Sequence, residues 1–185
     1  MITFKGKYLH TMSIPKIKDN IGAQRKVAFV ELLPGSEEDI NTMTKISKEW
    51  GWIDSFANNI RMSMLREILQ PNLQLVNTKR FFALTTQEDK FDKLDYLQIL
   101  GVAELENASN EQKNINYLQV NPDHAYGSAQ AEYKNIGKSL LKGILNIHQD
   151  GVEFVLNSVS SACKFYEKLG FNNTTGTRIY RLIKR

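Results

Sequence analysis

The sequence predicts an α+β fold with a mixed, mostly antiparallel sheet flanked by helices. Three observations support this prediction. Four segments carry apolar residues at helical spacing, and strand-like segments rich in aromatic and aliphatic residues lie between them. Several neighbouring strands are joined by short polar turns, which is typical of antiparallel pairs. One strand–helix–strand unit in the second half needs a crossover connection, which predicts one parallel pair within the sheet.

The length and composition fit one globular domain. The chain has 185 residues, of which 42% are apolar and 24% are charged. We assign residues 27–185 to the domain, and residues 1–26 to an N-terminal arm or an extra edge strand. The formal net charge of +4 would tolerate an anionic ligand. No basic block stands out, however, and this disfavours general nucleic-acid binding.

The cysteine content and the hydropathy pattern indicate the compartment. A single cysteine, Cys163, excludes an internal disulfide and a multi-cysteine metal cluster, and it fits a reducing compartment. Residues 1–16 lack the apolar core of a secretory signal, and no apolar run is long enough to span a bilayer. We therefore expect a cytoplasmic protein with no membrane partner and no bound metal.

The first elements of the domain are a strand and a helix. Residues 26–33 alternate as a strand does and stop at Pro34. Ser36, followed three residues later by Asp39, resembles a helix-opening capping box. Apolar residues then follow at helical spacing: Ile40, Met43, Ile46 and Trp50.

A second helix and three strands come next. The helix covers residues 56–68, and Pro71 halts it. Residues 80–86, 96–106 and 114–120 are predicted strands, and the turn NASNEQ before the last of them suits a hairpin.

The last third of the chain alternates helices with strands. Residues 134–147 place five apolar side chains on one helical face, and residues 152–157 form a short strand of the buried kind. A short helix over residues 161–171 follows, and residues 177–183 close the chain as a strand. One more strand at residues 171–174 is left open.

The start of the helix over residues 134–147 can bind an anion. The first turn of a helix leaves backbone N–H groups unpaired and carries a partial positive charge. Gly137 would let the backbone approach a ligand closely, and Lys134, Lys138 and Ser139 add positive charge and a hydroxyl. The alternative interpretation is an ordinary amphipathic helix whose glycine packs against the sheet.

Two segments resemble a known family. The succession YLQVNP, YKNIGKSLL and SACKFYEKLGF is similar to the GNAT superfamily of N-acetyltransferases over roughly residues 27–183. FYEKLGF resembles motif B of that family, and IGKSLL resembles the end of motif A. On the motif A signature, Glu132 occupies the Gln/Arg position and Asn135 and Gly137 the two glycine positions. Because asparagine tolerates the left-handed conformation, we expect Asn135 to preserve the turn.

The resemblance implies a splayed parallel strand pair and acetyl-CoA as co-substrate. The pantetheine arm would lie along residues 117–120, with the Val120 amide facing the thioester carbonyl and the pyrophosphate over amides at residues 133–138. Val159 stands where relatives often carry a cofactor-binding asparagine, and Asn157 or Ser160 could substitute. The implied cofactor-binding residues are Leu118, Val120, Tyr133, Lys134, Asn135, Ile136, Gly137, Lys138, Ser139 and Asn157.

The resemblance also implies catalytic roles. Tyr166 would be the general acid that protonates the departing thiolate; the structural alternative is a partly buried tyrosine with a tied hydroxyl. Candidate general bases are Glu104, with Glu106 on the same strand, and His124, although a solvated strand carboxylate and an exposed loop histidine are the alternatives. Cys163 fits a small buried filler better than an acyl-cysteine nucleophile.

The expected function is acetyl-CoA-dependent N-acetylation of a primary amine by direct attack. Family precedent makes residues 36–70 one wall of the acceptor site, with Trp50, Trp52 and Phe56 as lining candidates. The acceptor could be a small molecule such as a polyamine or an antibiotic amine, a protein lysine or a tRNA-borne amino group; a homodimer is left open. Two alternatives remain: a toxin-like acetyltransferase acting on aminoacyl-tRNA, and a catalytically silent acyl-CoA-binding module.

Overall fold

The computed structural model describes residues 7–17, 22–51, 55–69, 79–125, 127–173 and 176–185. Within these residues, eight strands form one sheet in the order β1-β2-β3-β4-β5-β6-β8-β7. Every adjacent pair is antiparallel except β5 and β6, which confirms the predicted mixed sheet with one parallel pair. The strands are β1 (Lys7–Pro15), β2 (Gln24–Leu32), β3 (Lys79–Thr85), β4 (Ile99–Asn107), β5 (Gln112–Val120), β6 (Glu153–Asn157), β7 (Asn172–Asn173) and β8 (Ile179–Ile183).

Four helices among the described residues flank the sheet. They are α1 (Glu37–Glu49), α2 (Phe56–Leu69), α3 (Ile136–Asn146) and α4 (Cys163–Lys168). The predicted N-cap of α1 is confirmed, because the Ser36 hydroxyl accepts a hydrogen bond from the amide of Asp39 at 3.3 Å. The reciprocal bond of a full capping box is not formed, because the Asp39 carboxylate accepts the amide of Leu33 instead. Pro71, expected to halt α2, lies outside the described residues. No helix in the described ranges combines the length and apolar character needed to cross a membrane.

Two predicted elements are corrected. The strand expected over residues 96–106 begins only at Ile99, because residues 96–98 form a 3₁₀ turn after Asp95, whose carboxylate accepts the amide of Leu97 at 3.1 Å. The helix expected over residues 161–171 is a 3₁₀ turn (Ser160–Ala162) that continues into α4. It ends at Gly170 with the positive φ of 92° that a glycine accommodates.

The described part of the first 26 residues is mainly the strand β1. It pairs antiparallel with β2, and its C-terminal end also contacts the long loop between β5 and α3. The amide of Ile17 donates to the carbonyl of Glu132 at 2.8 Å, and the amide of Lys134 donates to the carbonyl of Pro15 at 2.9 Å. This strand therefore fastens the loop that leads into α3.

Each face of the sheet has its own apolar core. One core joins the sheet to α3 and α4, and Phe29, Phe82 and Phe154 are fully buried in it. The other joins the sheet to α1 and α2 and includes Met43 and Phe81. Full burial of each such side chain stabilises the fold by about 1.5–3 kcal/mol. Both faces are therefore held rigidly where β5 and β6 separate.

The parallel pair is splayed. Its register runs from Gln112 opposite Glu153 to Ile115 opposite Leu156 and stops there, although β5 continues to Val120. A bulge lies at the same level: Ile115 and Tyr117 face consecutive residues of β4, which leaves Asn116 as the extra residue. The bulge turns the end of β5 away from β6, and this confirms the expected separation of the two strands.

Candidate active site

The end of β5 turns main-chain groups toward the gap between β5 and β6. The amide of Asn121 donates to the carbonyl of Leu100 on β4 at 2.9 Å. Because amide directions alternate along a strand, the amides of Val120 and Leu118 point away from β4, toward the gap. An extended ligand in the gap could therefore pair with β5 as a further strand would.

The first turn of α3 offers free backbone donors beside this gap. Asn135 precedes it with a left-handed backbone (φ 62°, ψ 20°) and no capping hydrogen bond from its side chain, which confirms the expectation that asparagine preserves the turn. The first intrahelical bond runs from the amide of Ser139 to the carbonyl of Asn135 at 2.8 Å. The amides of the three residues in between, Ile136, Gly137 and Lys138, therefore have no partner within the helix. The amide of Lys134 is held by β1 and is therefore not available to an anion, whereas these three amides are.

Gly137 lies where α3, α4 and β5 meet. A Cβ atom at this position would lie 3.3 Å from Cζ of Phe165, 3.5 Å from Cγ2 of Val120 and 3.8 Å from Cδ2 of Leu118. The first of these distances is tighter than a comfortable carbon–carbon contact. A glycine therefore lets the start of α3 approach the end of β5 closely. Gly137 thus packs against the sheet, as one interpretation expects, and its backbone amide lies at the proposed anion site, as the other expects.

Tyr166 is mostly buried, with 9% of its side chain exposed, and its ring contacts Phe165 and Phe171 at centroid distances of 5.0 and 5.8 Å. Burial raises its pKa above the ordinary value of 10.0, so the phenol keeps its proton at neutral pH. No described residue forms a hydrogen bond with its hydroxyl, whereas that of Tyr180 donates to Glu167 at 3.0 Å. The tied hydroxyl of the structural interpretation is therefore not seen among the described residues.

Glu104 lies in the middle of the sheet with none of its surface exposed. Its Oε1 is 3.0 Å from Nζ of Lys79 and accepts the side-chain amide of Asn116, the bulge residue, at 2.9 Å. The same amide donates to Glu106 at 2.9 Å. Oε2 of Glu104 has no hydrogen-bond partner in the described residues. This is a buried ion pair with one spare acceptor, not the solvated strand carboxylate of the alternative interpretation.

His124 follows β5 in a 3₁₀ turn, Pro122–His124. Its Nδ1 accepts the backbone amide of Glu132 at 3.4 Å, and burial lowers the pKa of the ring. Because Nδ1 accepts this hydrogen bond, the neutral ring carries its proton on Nε2. Neither nitrogen is then available to accept a proton from an amine. This hydrogen bond disfavours His124 as a base, and sequence reasoning could not anticipate it because the partner is a backbone amide whose direction depends on how the loop folds.

The residues between β6 and α4 are mostly exposed. Asn157 ends β6 with an exposed side chain, and Val159 is 45% exposed. Ser160 is exposed in the turn that follows. Sγ of Cys163 donates to the carbonyl of Val159 at 3.6 Å, and the side chain packs at the margin of the α3–α4 core, in keeping with a structural role.

Sequence reasoning missed a cavity of about 370 Å³ at the C-terminal end of β5. Its walls include Glu49 and Trp50 from the end of α1, Tyr96 from the turn before β4, and residues 121–124 and Glu132 from the loop after β5. The lining residues come from three segments that are far apart in sequence, so the sequence gives no local signal and only the fold brings them together.

Two of the three residues expected to line the acceptor site, Trp50 and Phe56, lie in the described part of the chain. Trp50 is 8% exposed, so it belongs to the α1–α2 core and lines this cavity at the same time. The ring of Phe56 contacts that of Tyr117 at a centroid distance of 5.5 Å. Trp52 lies outside the described residues.

An opened parallel pair beside a helix start with free amides is the arrangement of an acyltransferase that takes its acyl group from a coenzyme A thioester. The chain belongs to the GNAT acetyltransferase family, because residues 83–182 match the family model described as an acetyltransferase (GNAT) domain. The resemblance of the two sequence motifs to this family is thereby confirmed, and acetyl-CoA is the co-substrate of the family. No curated protein matches the chain.

Solved structures share the fold at low sequence identity. A Desulfovibrio desulfuricans protein assigned to the GNAT family is 16% identical, with 85% of this chain and 98% of that chain covered and a TM-score of 0.55. AtaT, complexed with acetyl-methionyl-tRNAfMet, is 12% identical, with 85% and 94% covered and a TM-score of 0.52. The Campylobacter jejuni N-acetyltransferase PseH, in complex with acetyl coenzyme A, is 17% identical, with 86% and 99% covered and a TM-score of 0.50. At these identities the similarity concerns the fold alone.

The residues present fit acetyl-CoA. A diphosphate needs several donors at one point, and the amides of Ile136, Gly137 and Lys138 supply them at the positive end of a helix. An amide-bearing pantetheine arm needs an extended partner, and the main chain of Leu118 and Val120 faces the gap. Such contacts would be made by the backbone, so they would not depend on the side chains of Glu132 and Asn135, which depart from the motif A signature.

Proposed function

We propose that the protein transfers the acetyl group of acetyl-CoA to a primary amine, by direct attack of the amine on the thioester carbonyl. The observation that carries this proposal is the gap between β5 and β6, which is lined by inward-facing amides and adjoins the free amides of α3. Membership of the GNAT family supports the same reaction class.

The chain's own groups have defined tasks in this reaction. Acetyl-CoA supplies an activated acetyl thioester. The amides of Ile136, Gly137 and Lys138 bind the diphosphate, and the amide of Val120 donates to the acetyl carbonyl oxygen, where negative charge develops. As the new C–N bond forms and the C–S bond breaks, Tyr166 gives its phenolic proton to the departing sulfur. The burial that raises its pKa keeps that proton available at neutral pH.

The amine must also lose a proton, and Glu104 is the proposed base, acting through water. Its charge is balanced by Lys79, and its spare Oε2 can accept a proton or a hydrogen bond. It stands opposite Tyr117, three residues before Val120 on β5, or roughly 10 Å along the strand. That distance requires a relay and excludes direct contact with an amine at the thioester.

The test measures release of free thiol from acetyl-CoA with a panel of amines, together with calorimetric titration of coenzyme A. We expect Tyr166→Phe to lower kcat by roughly 10²- to 10⁴-fold and to leave the Kd for coenzyme A unchanged. Tyr8→Phe is the matched control, because Tyr8 is 45% exposed on β1 and its hydroxyl forms a hydrogen bond with Thr11, away from the proposed site.

Each outcome separates the candidates. Coenzyme A binding without thiol release for any amine would support the catalytically silent module, and absence of both would contradict the proposal. Full activity in Tyr166→Phe would remove the tyrosine from the mechanism and leave the transfer itself standing.

A further inference from the structure

The cavity at the end of β5 carries a charge opposite to that of the whole chain. The formal net charge is +4, yet three carboxylates line this cavity, from Glu49, Asp123 and Glu132, and its described lining includes no lysine or arginine. A mildly basic protein that places acids from the end of α1 and from the loop after β5 around one concave space creates a local preference for cations.

The cavity lies directly beside the proposed point of transfer. Asn121, one of its lining residues, follows Val120, whose amide is proposed to face the acetyl carbonyl. Trp50 and Glu49 form the opposite wall at the end of α1. An acceptor held in the cavity can therefore place one nitrogen at the thioester without leaving the acidic walls.

The charge of the carboxylates reaches the interior of the cavity. Burial lowers the pKa of His124, whereas the carboxylates of Glu132 and Asp123 act on the same ring in the opposite direction. Because burial prevails, the ring is neutral at physiological pH and adds no positive charge beside the three carboxylates. The amide of Ile17, just after β1, donates to the backbone carbonyl of Glu132, so the backbone position of this residue is fixed at the wall of the cavity.

The aromatic part of the wall also suits ammonium groups. Nζ of Lys45, on α1, lies 5.4 Å from the centroid of the Tyr96 ring, within the range of a cation–π contact. The chain itself thus places an ammonium against this ring. Trp50 offers a second aromatic surface to the aliphatic part of a ligand.

We propose that this cavity binds the acceptor, and that the acceptor is a compact aliphatic polyamine with at least two ammonium groups. This inference rests on the proposed function and deepens it. One ammonium group is bound by the carboxylates, while the amine at the other end loses its proton and is acetylated beside Val120. A phosphate-bearing acceptor such as the 3′ end of an aminoacyl-tRNA would be repelled by the same three carboxylates.

The experiment compares spermidine with propylamine, which has a single ammonium group, in thiol-release kinetics. We expect a kcat/KM for spermidine at least tenfold higher than for propylamine, and a KM for spermidine that rises with salt. Asp123→Asn and Glu132→Gln should each raise that KM about threefold, and their combination about tenfold, with kcat unchanged. Glu111→Gln is the matched control, because Glu111 is exposed and directly precedes β5. It lies roughly 26 Å along the strand from the end of β5 that borders the cavity.

The outcomes distinguish this inference from the function on which it rests. Equal kinetics for spermidine and propylamine, or carboxylate variants that match the wild type, would overturn the polyamine acceptor and leave acetyl transfer intact. Faster acetylation of aminoacyl-tRNA than of spermidine would also overturn it. Absence of thiol release with every amine, although coenzyme A binds, would instead contradict the proposed function.

Discussion

At the scale of single residues, Glu104 is a fully buried carboxylate inside the sheet. A carboxylate with no exposed surface is costly to bury, and here the cost is offset by an ion pair with Lys79 and a hydrogen bond from Asn116. The sequence placed this glutamate on a strand but could not show its partners, since Lys79 belongs to the neighbouring strand. The ion pair gives Glu104 a structural role, its proposed role as the base is a separate matter, and a pair of variants can distinguish the two.

Glu104→Gln should lower the free energy of unfolding by about 1–2 kcal/mol. This is less than the loss of a partner from a fully buried pair, because 24% of the Lys79 side chain is exposed. Adding Lys79→Met should recover most of this stability in urea denaturation. If Glu104 is the base, kcat stays at least about 100-fold reduced in both variants. Recovery of kcat together with stability in the double variant would show that the glutamate is structural.

At the scale of elements, the start of α1 has the N-cap that the sequence predicts, and it also buries Asp39, which the sequence does not predict. The sequence identified the capping residue Ser36, because caps depend on local spacing. It could not show that Asp39 becomes 99% buried, since that depends on how the helix packs onto β2. One carboxylate oxygen accepts the amide of Leu33 at 2.8 Å, and the other has no partner in the described residues.

This burial gives α1 a pH dependence. Desolvation raises the pKa of Asp39 from 3.8 to about 6, against the hydrogen bond from Leu33. The folded state therefore binds the proton more tightly, so this stabilisation is complete below pH 3.8 and is lost as pH rises through about 6.

Asp39→Asn, which cannot ionise, should gain roughly 2 kcal/mol of stability relative to the wild type between pH 4 and pH 7. The measurement is urea denaturation of both proteins across this range. Parallel stability curves for the two proteins would contradict the shift in the pKa of Asp39.

At the scale of the whole molecule, the N-terminal strand β1 contacts the loop that runs from the proposed acceptor cavity to the start of α3. β1 extends the sheet beyond β2, and its last residues hold the loop that carries Glu132 and leads to the free amides of α3. The sequence left this segment open between an arm and a strand, because charge, glycine and proline hide its alternation. A contact far from the proposed chemistry thus controls the position of both binding surfaces.

Ile17→Pro removes the N–H that donates to Glu132, whereas Ile17→Ala keeps it and serves as the control. Proline should lower the free energy of unfolding by about 1 kcal/mol and speed amide hydrogen exchange over residues 121–135. It should also raise the KM for acetyl-CoA severalfold, because α3 begins directly after this loop. Equal exchange in the proline and alanine variants would show that β1 does not hold the loop.

The predictable and unpredictable parts of this protein differ in the range of the interactions that decide them. Helix periodicity, the Ser36 cap and the left-handed Asn135 follow from residues close in sequence, so they could be predicted. The cavity, the hydrogen bond that fixes His124 and the ion pair of Glu104 join distant segments, and a single sequence carries no local mark of them. The family motifs supplied part of the missing information, because they located the helix start that is proposed to bind the cofactor.

The separation of β5 from β6 has a consequence for how complete the sheet is. Most sheets keep their unsatisfied rims at the outside, where charges or covering loops can protect them. This sheet has a second unpaired strand edge in its interior, along the end of β5 beyond Ile115. A guest molecule of extended shape that fits there would join the two halves of the sheet into one continuous layer, and the protein would become more resistant to unfolding in proportion to how tightly the guest is held.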